Sequence, residues 1–333
     1  MKKLLVAGLT MASVGLATRL PAQLEPSCRM EIAKLCGMTR DRDAIRTCLR
    51  EKYQSLSKPC LQSLLEMRRD REPQAIAGSG GSTYAYGSAD KQAFDFYPAS
   101  SSGHPALVVF IHGGGWSIGD KAMGTRNKAS HFTGKGYAFA SLNYRLVPET
   151  DPAGQAADVA AALATLRAKA GNLGFDPDKI ILMGHSAGAH LAALVSTDPR
   201  YLEAAGVPMA AIRGTILLDG AGYDVPRQMA DAGPMLGKMY RDAFTTDRDT
   251  QVRLSPLTHA TTPNVANWLI LFDQARADSG SQSNALAEAL KRSGSVVSAT
   301  AIPDTSHMKL NRDMGMEGDA ATSLVDAFIE KIL

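Results

Sequence analysis

No cysteine follows residue 60 in this 333-residue chain, and the four present lie between Cys28 and Cys60. Their segment contains neither a Cys-x-x-Cys pair nor a histidine, which leaves a metal site there without its usual ligand set. The rest of the chain lacks a His-Glu-x-x-His run, a Walker loop and a glycine fingerprint opening a first βα unit. No metal, nucleotide or organic cofactor is therefore implied. Surplus charge is also missing. The formal +3 is carried by Lys2, Lys3 and Arg19, and without them 33 basic side chains face 33 acidic ones, so the basic balance is no argument for nucleic acid. Beyond Leu4–Ala17 no apolar run is long enough for a transmembrane helix, and that one is short for a bilayer.

What is present divides the chain into four parts. Met1 to about Ala22 has two lysines, an uncharged apolar stretch and Leu20-Pro21-Ala22, the pattern of a secretory leader, so the mature protein is expected to be periplasmic or secreted. Residues 24–72 are rich in Arg and Lys and poor in glycine, with short helices expected at 27–35, 43–53 and 60–69. An even cysteine count on an exported chain argues for two disulfides. The Cys-x7-Cys-x11-Cys-x11-Cys spacing resembles the cysteine-rich repeat of some Golgi and secreted proteins. Three pairings are open, and nesting Cys28 with Cys60 around Cys36 with Cys48 suits a three-helix hairpin best. Residues 73–82, with Pro73 and Gly78-Ser79-Gly80-Gly81, read as a flexible linker. From residue 83 to the end, short apolar runs alternate with helical stretches after an opening edge hairpin. That alternation predicts an α/β domain with a mostly parallel sheet covered by helices on both faces.

Two stretches in this last part carry chemistry. Lys179–His190 is an apolar strand, then Gly184-His185-Ser186-Ala187-Gly188, then a helix-forming run; Val108–Trp116 is a second buried-type strand ending in His112-Gly113-Gly114-Gly115-Trp116. A serine on a sharp strand-to-helix turn stands clear of the sheet, and a glycine run lets consecutive N–H groups point into one concavity. With both motifs in this order the chain resembles the α/β-hydrolase superfamily, specifically the hormone-sensitive-lipase-like and feruloyl-esterase-like esterases. The resemblance implies Ser186 as nucleophile and the N–H groups of Gly114, Gly115 and Ala187 as an oxyanion hole. It extends to Asn143–Pro148 and Asp158, for which a structural role, such as an Arg145–Asp158 ion pair, is favoured.

A serine needs a base, and the base needs a carboxylate to orient it; in this fold the chain order is Ser, acid, His. His190 sits one turn along the nucleophile helix and His259 precedes the acid candidates, which leaves His307, after the last strand. Asp278, a few residues past strand 267–272 and ahead of a helix expected from about Gln282, is the favoured acid, with Asp273 and Asp219 as alternatives. Trp116, His185 and Tyr223 flank the motifs and would line a pocket or pack in the core. Residues 224–256 occupy the place of a cap and would set specificity. The expected function is hydrolysis of carboxylic esters, small or attached to polysaccharide, through an acyl-enzyme. Amide or formamide hydrolysis uses the same machinery and stays open, as does a binding role for the cysteine-rich module toward a surface or glycan.

Overall fold

The computed structural model describes residues 26–37, 48–49, 52, 55–62 and 81–333 other than 102 and 262. The leader, most of the linker and parts of the second and third N-terminal helices lie outside these residues. The chain divides into two units, 1–75 and 76–333.

In the first unit one helix spans Pro26–Cys36. Cys28 is bonded to Cys60 and Cys36 to Cys48, with no free cysteine left over. Cys28, Ile32, Leu56 and Cys60 form the buried cluster, and Glu31 accepts from both the backbone N–H and the hydroxyl of Ser57. So small a core is held largely by its cross-links, each of which contributes on the order of 3 kcal/mol by closing its loop in the unfolded chain.

The second unit is built on one eight-stranded sheet in the order β1-β2-β4-β3-β5-β6-β7-β8. Its strands are β1 (Ser82–Ala85), β2 (Ala93–Tyr97), β3 (Leu107–Ile111), β4 (Ala138–Leu142), β5 (Ile180–His185), β6 (Ile212–Leu218), β7 (Asn267–Asp273) and β8 (Val296–Ile302). β2 pairs antiparallel with both β1 and β4; from β4 to β8 all neighbours are parallel. Because side chains alternate across a strand, β3 sends Leu107, Val109 and Ile111 into one core and Val108 and Phe110 into the other. Both faces are covered, so β3, β4 and β5 are buried along their whole lengths.

Connectivity places the site. From β3 the chain crosses to β4 through helix Ala122–Gly134, which the sequence reading did not anticipate and which packs in the second core. From β4 it returns past β3 to β5 through helix Pro152–Ala168, on the other face. Right-handed crossovers in opposite directions put these helices on opposite faces and open a crevice between the carboxyl ends of β3 and β5. Residues 224–259 fold as four short helices: Val225–Asp231, Pro234–Phe244, Arg248–Arg253 and Pro256–His259.

Candidate active site

The glycine run follows β3 and Ser186 follows β5, so the adjacent strands deliver both motifs to one crevice. Ser186 has φ 57° and ψ −121°, a left-handed conformation that costs a non-glycine residue free energy and turns the chain sharply from strand into helix Ala187–Thr197. The turn is so tight that a Cβ on Gly184 would lie 2.2 Å from the Gly188 carbonyl oxygen, and one on Gly188 2.2 Å from that of Ile111. Only glycine lets strand, helix and β3 approach this closely. The glycine loop lies directly against the serine, since a Cβ on Gly113 would come within 2.9 Å of Ser186 Cβ. Gly114, at φ 124°, adopts a conformation closed to other residues. Among the described residues no protein acceptor takes the N–H groups of Gly114, Gly115 or Ala187.

The loop is braced from below. Tyr144 donates its hydroxyl to the His112 carbonyl at 2.9 Å and stacks on the His112 ring at 4.4 Å. Arg145 grips Asp158 through Nε (2.9 Å) and Nη2 (2.7 Å), which makes this stretch structural. Trp116, His185 and Tyr223 are 2%, 3% and 0% exposed, so of the two roles open to them, pocket lining and core packing, all three take core packing. Each has work there. The Trp116 carbonyl accepts from Gln155 Nε2 at 2.7 Å, its ring packs on Phe244 and Tyr240, and its Nε1 donates to His190 Nδ1 at 3.3 Å. His185 donates Nε2–H to the backbone carbonyl of His307 at 2.8 Å. Tyr223 packs against Gly220, at the turn that follows β6. Over the loop lies Met239 of the cap, whose sulfur occupies the space where a Gly115 Cβ would go.

His307 is the first residue of helix His307–Arg312, which is capped by Ser306, and it stands at the same edge of the sheet. Its Nδ1 donates to Asp219 Oδ2 at 2.6 Å. This carboxylate, and not Asp278, orients the ring. The correction has a physical cause: helix Ala277–Arg292 begins five residues earlier than expected, so Asp278 lies in its first turn and is paired with Arg276 Nη2 at 2.7 Å. Asp273 is the last residue of β7, and its carboxylate accepts the Ala275 N–H. Asp219 directly follows β6, fully buried, with φ 44° turning its side chain toward the histidine. It accepts four bonds: from His307 and Arg276 Nη1 (2.7 Å) on Oδ2, and from Asp273 N–H (3.1 Å) and Ser279 Oγ (2.7 Å) on Oδ1. Burial alone would raise its pKa; the His307 bond and the Arg276 charge outweigh that and hold the carboxyl well below the usual range.

The remaining buried histidines are neutral. Burial lowers His190 to about 4, with Nε2–H donated to the Leu254 carbonyl, and lowers His112 to about 4 as well. Burial, then the neighbouring His307, also lowers His185. Of the histidines after Ser186, His259 bonds the Arg253 carbonyl, away from this edge. Sequence reasoning missed Arg276, which touches both the carboxylate and the histidine. Its only signal is a cation between two aspartates just past an apolar strand.

The BD-FAE family model matches residues 94–206. Over 163 residues the chain is 31% identical to the probable carboxylic ester hydrolase LipM of Mycobacterium tuberculosis, covering 46% of this chain and 38% of that protein. Over 253 residues it is 26% identical to the kynurenine formamidase of Danio rerio, covering 74% of this chain and 80% of that protein. Among solved structures, the butyrate-bound esterase Est2 of Thermogutta terrifontis superposes with a TM-score of 0.62 at 24% identity, over 79% of this chain and 97% of its own. The chain spans 23% to 38% of the length of the curated relatives it matches at 31–34% identity.

Proposed function

We propose, from the α/β-hydrolase fold of residues 76–333, that the protein is a serine hydrolase of carboxylic esters working through a Ser186–His307–Asp219 triad. The observation that carries this reading is the 2.6 Å bond from His307 Nδ1 to a buried, ionised Asp219, at the sheet edge where Ser186 stands on its strained turn. With Nδ1–H committed to Asp219, Nε2 is the basic nitrogen. Ser186 Oγ attacks the ester carbonyl as its proton passes to Nε2, and Asp219 stabilises the imidazolium that results. The oxyanion meets the N–H groups of Gly114, Gly115 and Ala187, fixed before the charge develops, with the positive end of helix Ala187–Thr197 behind them. His307 then protonates the departing alkoxide, water repeats the sequence on the acyl-enzyme, and the acid leaves.

The amide reading is favoured by one observation, the likeness to a formamidase along 80% of that protein's length. Leaving-group chemistry separates the two. The purified chain and Ser186→Ala are assayed on p-nitrophenyl acetate, butyrate and octanoate, on an aryl formamide, and with a fluorophosphonate probe read by intact mass. Labelling and ester turnover that vanish in the variant support the ester reading. Formamide turnover exceeding that of every ester moves the assignment to amides, and a folded protein that neither labels nor turns over refutes both. Export is part of the same proposal, supported by the leader-like residues 1–22 and by two disulfides, bonds that persist in oxidising compartments.

A further inference from the structure

The geometry points to Arg276 and Asp278 as a charge pair that sets the protonation range of His307, with Arg276 a positioning residue for the proposed hydrolysis; this rests on the triad reading given above. Arg276 Nη1 lies 2.9 Å from His307 Nδ1 and 2.7 Å from Asp219 Oδ2, so two N–H groups, one on a permanent cation, converge on a single carboxylate oxygen. A guanidinium in that position opposes the imidazolium that general-base catalysis must form, and it competes with His307 for Asp219. Both effects disfavour the imidazolium formed in the proposed catalysis. On its other edge Arg276 Nη2 is held at 2.7 Å by Asp278 Oδ2, which is 37% exposed and offsets part of that positive charge. The carboxylate that sequence reasoning favoured as the triad acid thus acts on the triad through the arginine.

Among the described residues, the other titratable groups that face the ring besides Asp219 and Arg276 are neutral or engaged elsewhere. From β5, His185 faces it as a neutral ring at 4.6 Å. From helix Ala122–Gly134, Lys128 bonds the Asn311 carbonyl at the far end of the His307 helix. On that helix itself, Lys309 reaches back to the Asp304 carbonyl. Tyr223, beyond Asp219, is kept neutral by burial.

Removing the two charges should therefore move the acid limb of kcat/KM in opposite directions. Arg276→Gln relieves the repulsion and raises the limiting pKa by about one unit, so that activity fails sooner on acidification. Asp278→Asn leaves the guanidinium less compensated and lowers it by a smaller amount. Arg276→Lys, which keeps the cation, should stay near the native value and controls for a loss of packing. The pH profiles are measured on p-nitrophenyl butyrate. In parallel the His307 ring is titrated by NMR in histidine-labelled protein, assigned with His307→Ala. The NMR titration does not depend on turnover, so the charge pair is tested even if Ser186→Ala shows the ester reading to be wrong. Opposite shifts in the Gln and Asn variants, with Lys near native, support the proposal. Coincident profiles, or shifts of one sign in both, overturn it.

Discussion

Asp219→Asn tests the assignment of the orienting acid, because the four partners of this carboxylate make its amide counterpart fit badly either way round. Asp273 N–H, Arg276 Nη1 and His307 Nδ1 all donate to it, and only Ser279 is free to turn, its hydroxyl also lying 3.0 Å from the Gly220 carbonyl. If the amide NH2 faces Asp273, the backbone N–H there loses its buried acceptor at about 1–3 kcal/mol, and the imidazolium has a neutral carbonyl in place of a carboxylate. If the NH2 faces His307, it drives the ring to the tautomer that carries its proton on Nε2, and the base is lost. Either outcome should lower kcat/KM by about 10³- to 10⁴-fold, or roughly 4–5.5 kcal/mol of transition-state stabilisation. Asp278→Asn keeps a hydrogen-bond acceptor for Arg276 and leaves Asp219 intact, so its loss at neutral pH should be under about tenfold. The assay is turnover of p-nitrophenyl butyrate per active site, with sites counted by fluorophosphonate labelling of the same preparation. A result in which Asp278→Asn loses about a thousandfold while Asp219→Asn stays within tenfold of wild type would refute the argument from geometry.

Two further outcomes follow from the packing. His190 and His112 are held near pKa 4 when folded and return to about 6.5 on unfolding, so the unfolded chain binds more protons in that interval. Stability is fully present above about pH 6.5 and is lost as pH falls toward 4, by on the order of 3 kcal/mol for each histidine. Urea midpoints across this range should show the slope, and His190→Gln should flatten it whatever its effect on absolute stability; an unchanged slope would count against the neutral buried form. Gly188→Ala would put a Cβ 2.2 Å from one β3 carbonyl and 2.5 Å from the next, forcing the nucleophile helix away from the glycine loop. A fall in Tm with at least a hundredfold loss of activity is expected, set against Gly134→Ala, whose Cβ meets nothing within 4 Å and which should be neutral. Equal behaviour of the two alanine variants would remove the close-approach argument.

How much of this was legible in the sequence depended on whether the signal was local. The elbow around Ser186 and the run at Gly113–Gly115 are local: the chain can make those turns only with those glycines, so motif and geometry are the same fact. The parallel sheet was legible for a related reason, since strands buried on both faces read as unbroken apolar runs. Helix Ala122–Gly134 was not, because its sequence, with Thr125, Lys128 and His131 among small residues, lacks a clear apolar stripe, and its Lys128 is buried against Phe110 and a carbonyl that come from elsewhere in the chain. The acid was misjudged for the same kind of reason. Three aspartates lie at or just past the ends of β6 and β7, and which one faces His307 depends on the neighbours each meets after folding, not on its distance from a strand. Asp278 has the better position along the chain but is claimed by Arg276 two residues earlier. Asp219 has no polar run around it, and it becomes the acid because β6 ends beside β5, in the interior, where a carboxylate must collect every available donor to remain ionised. A buried charge with four donors converging on it is dictated by tertiary structure alone, and it is the burial that gives Asp219 its hold on the histidine.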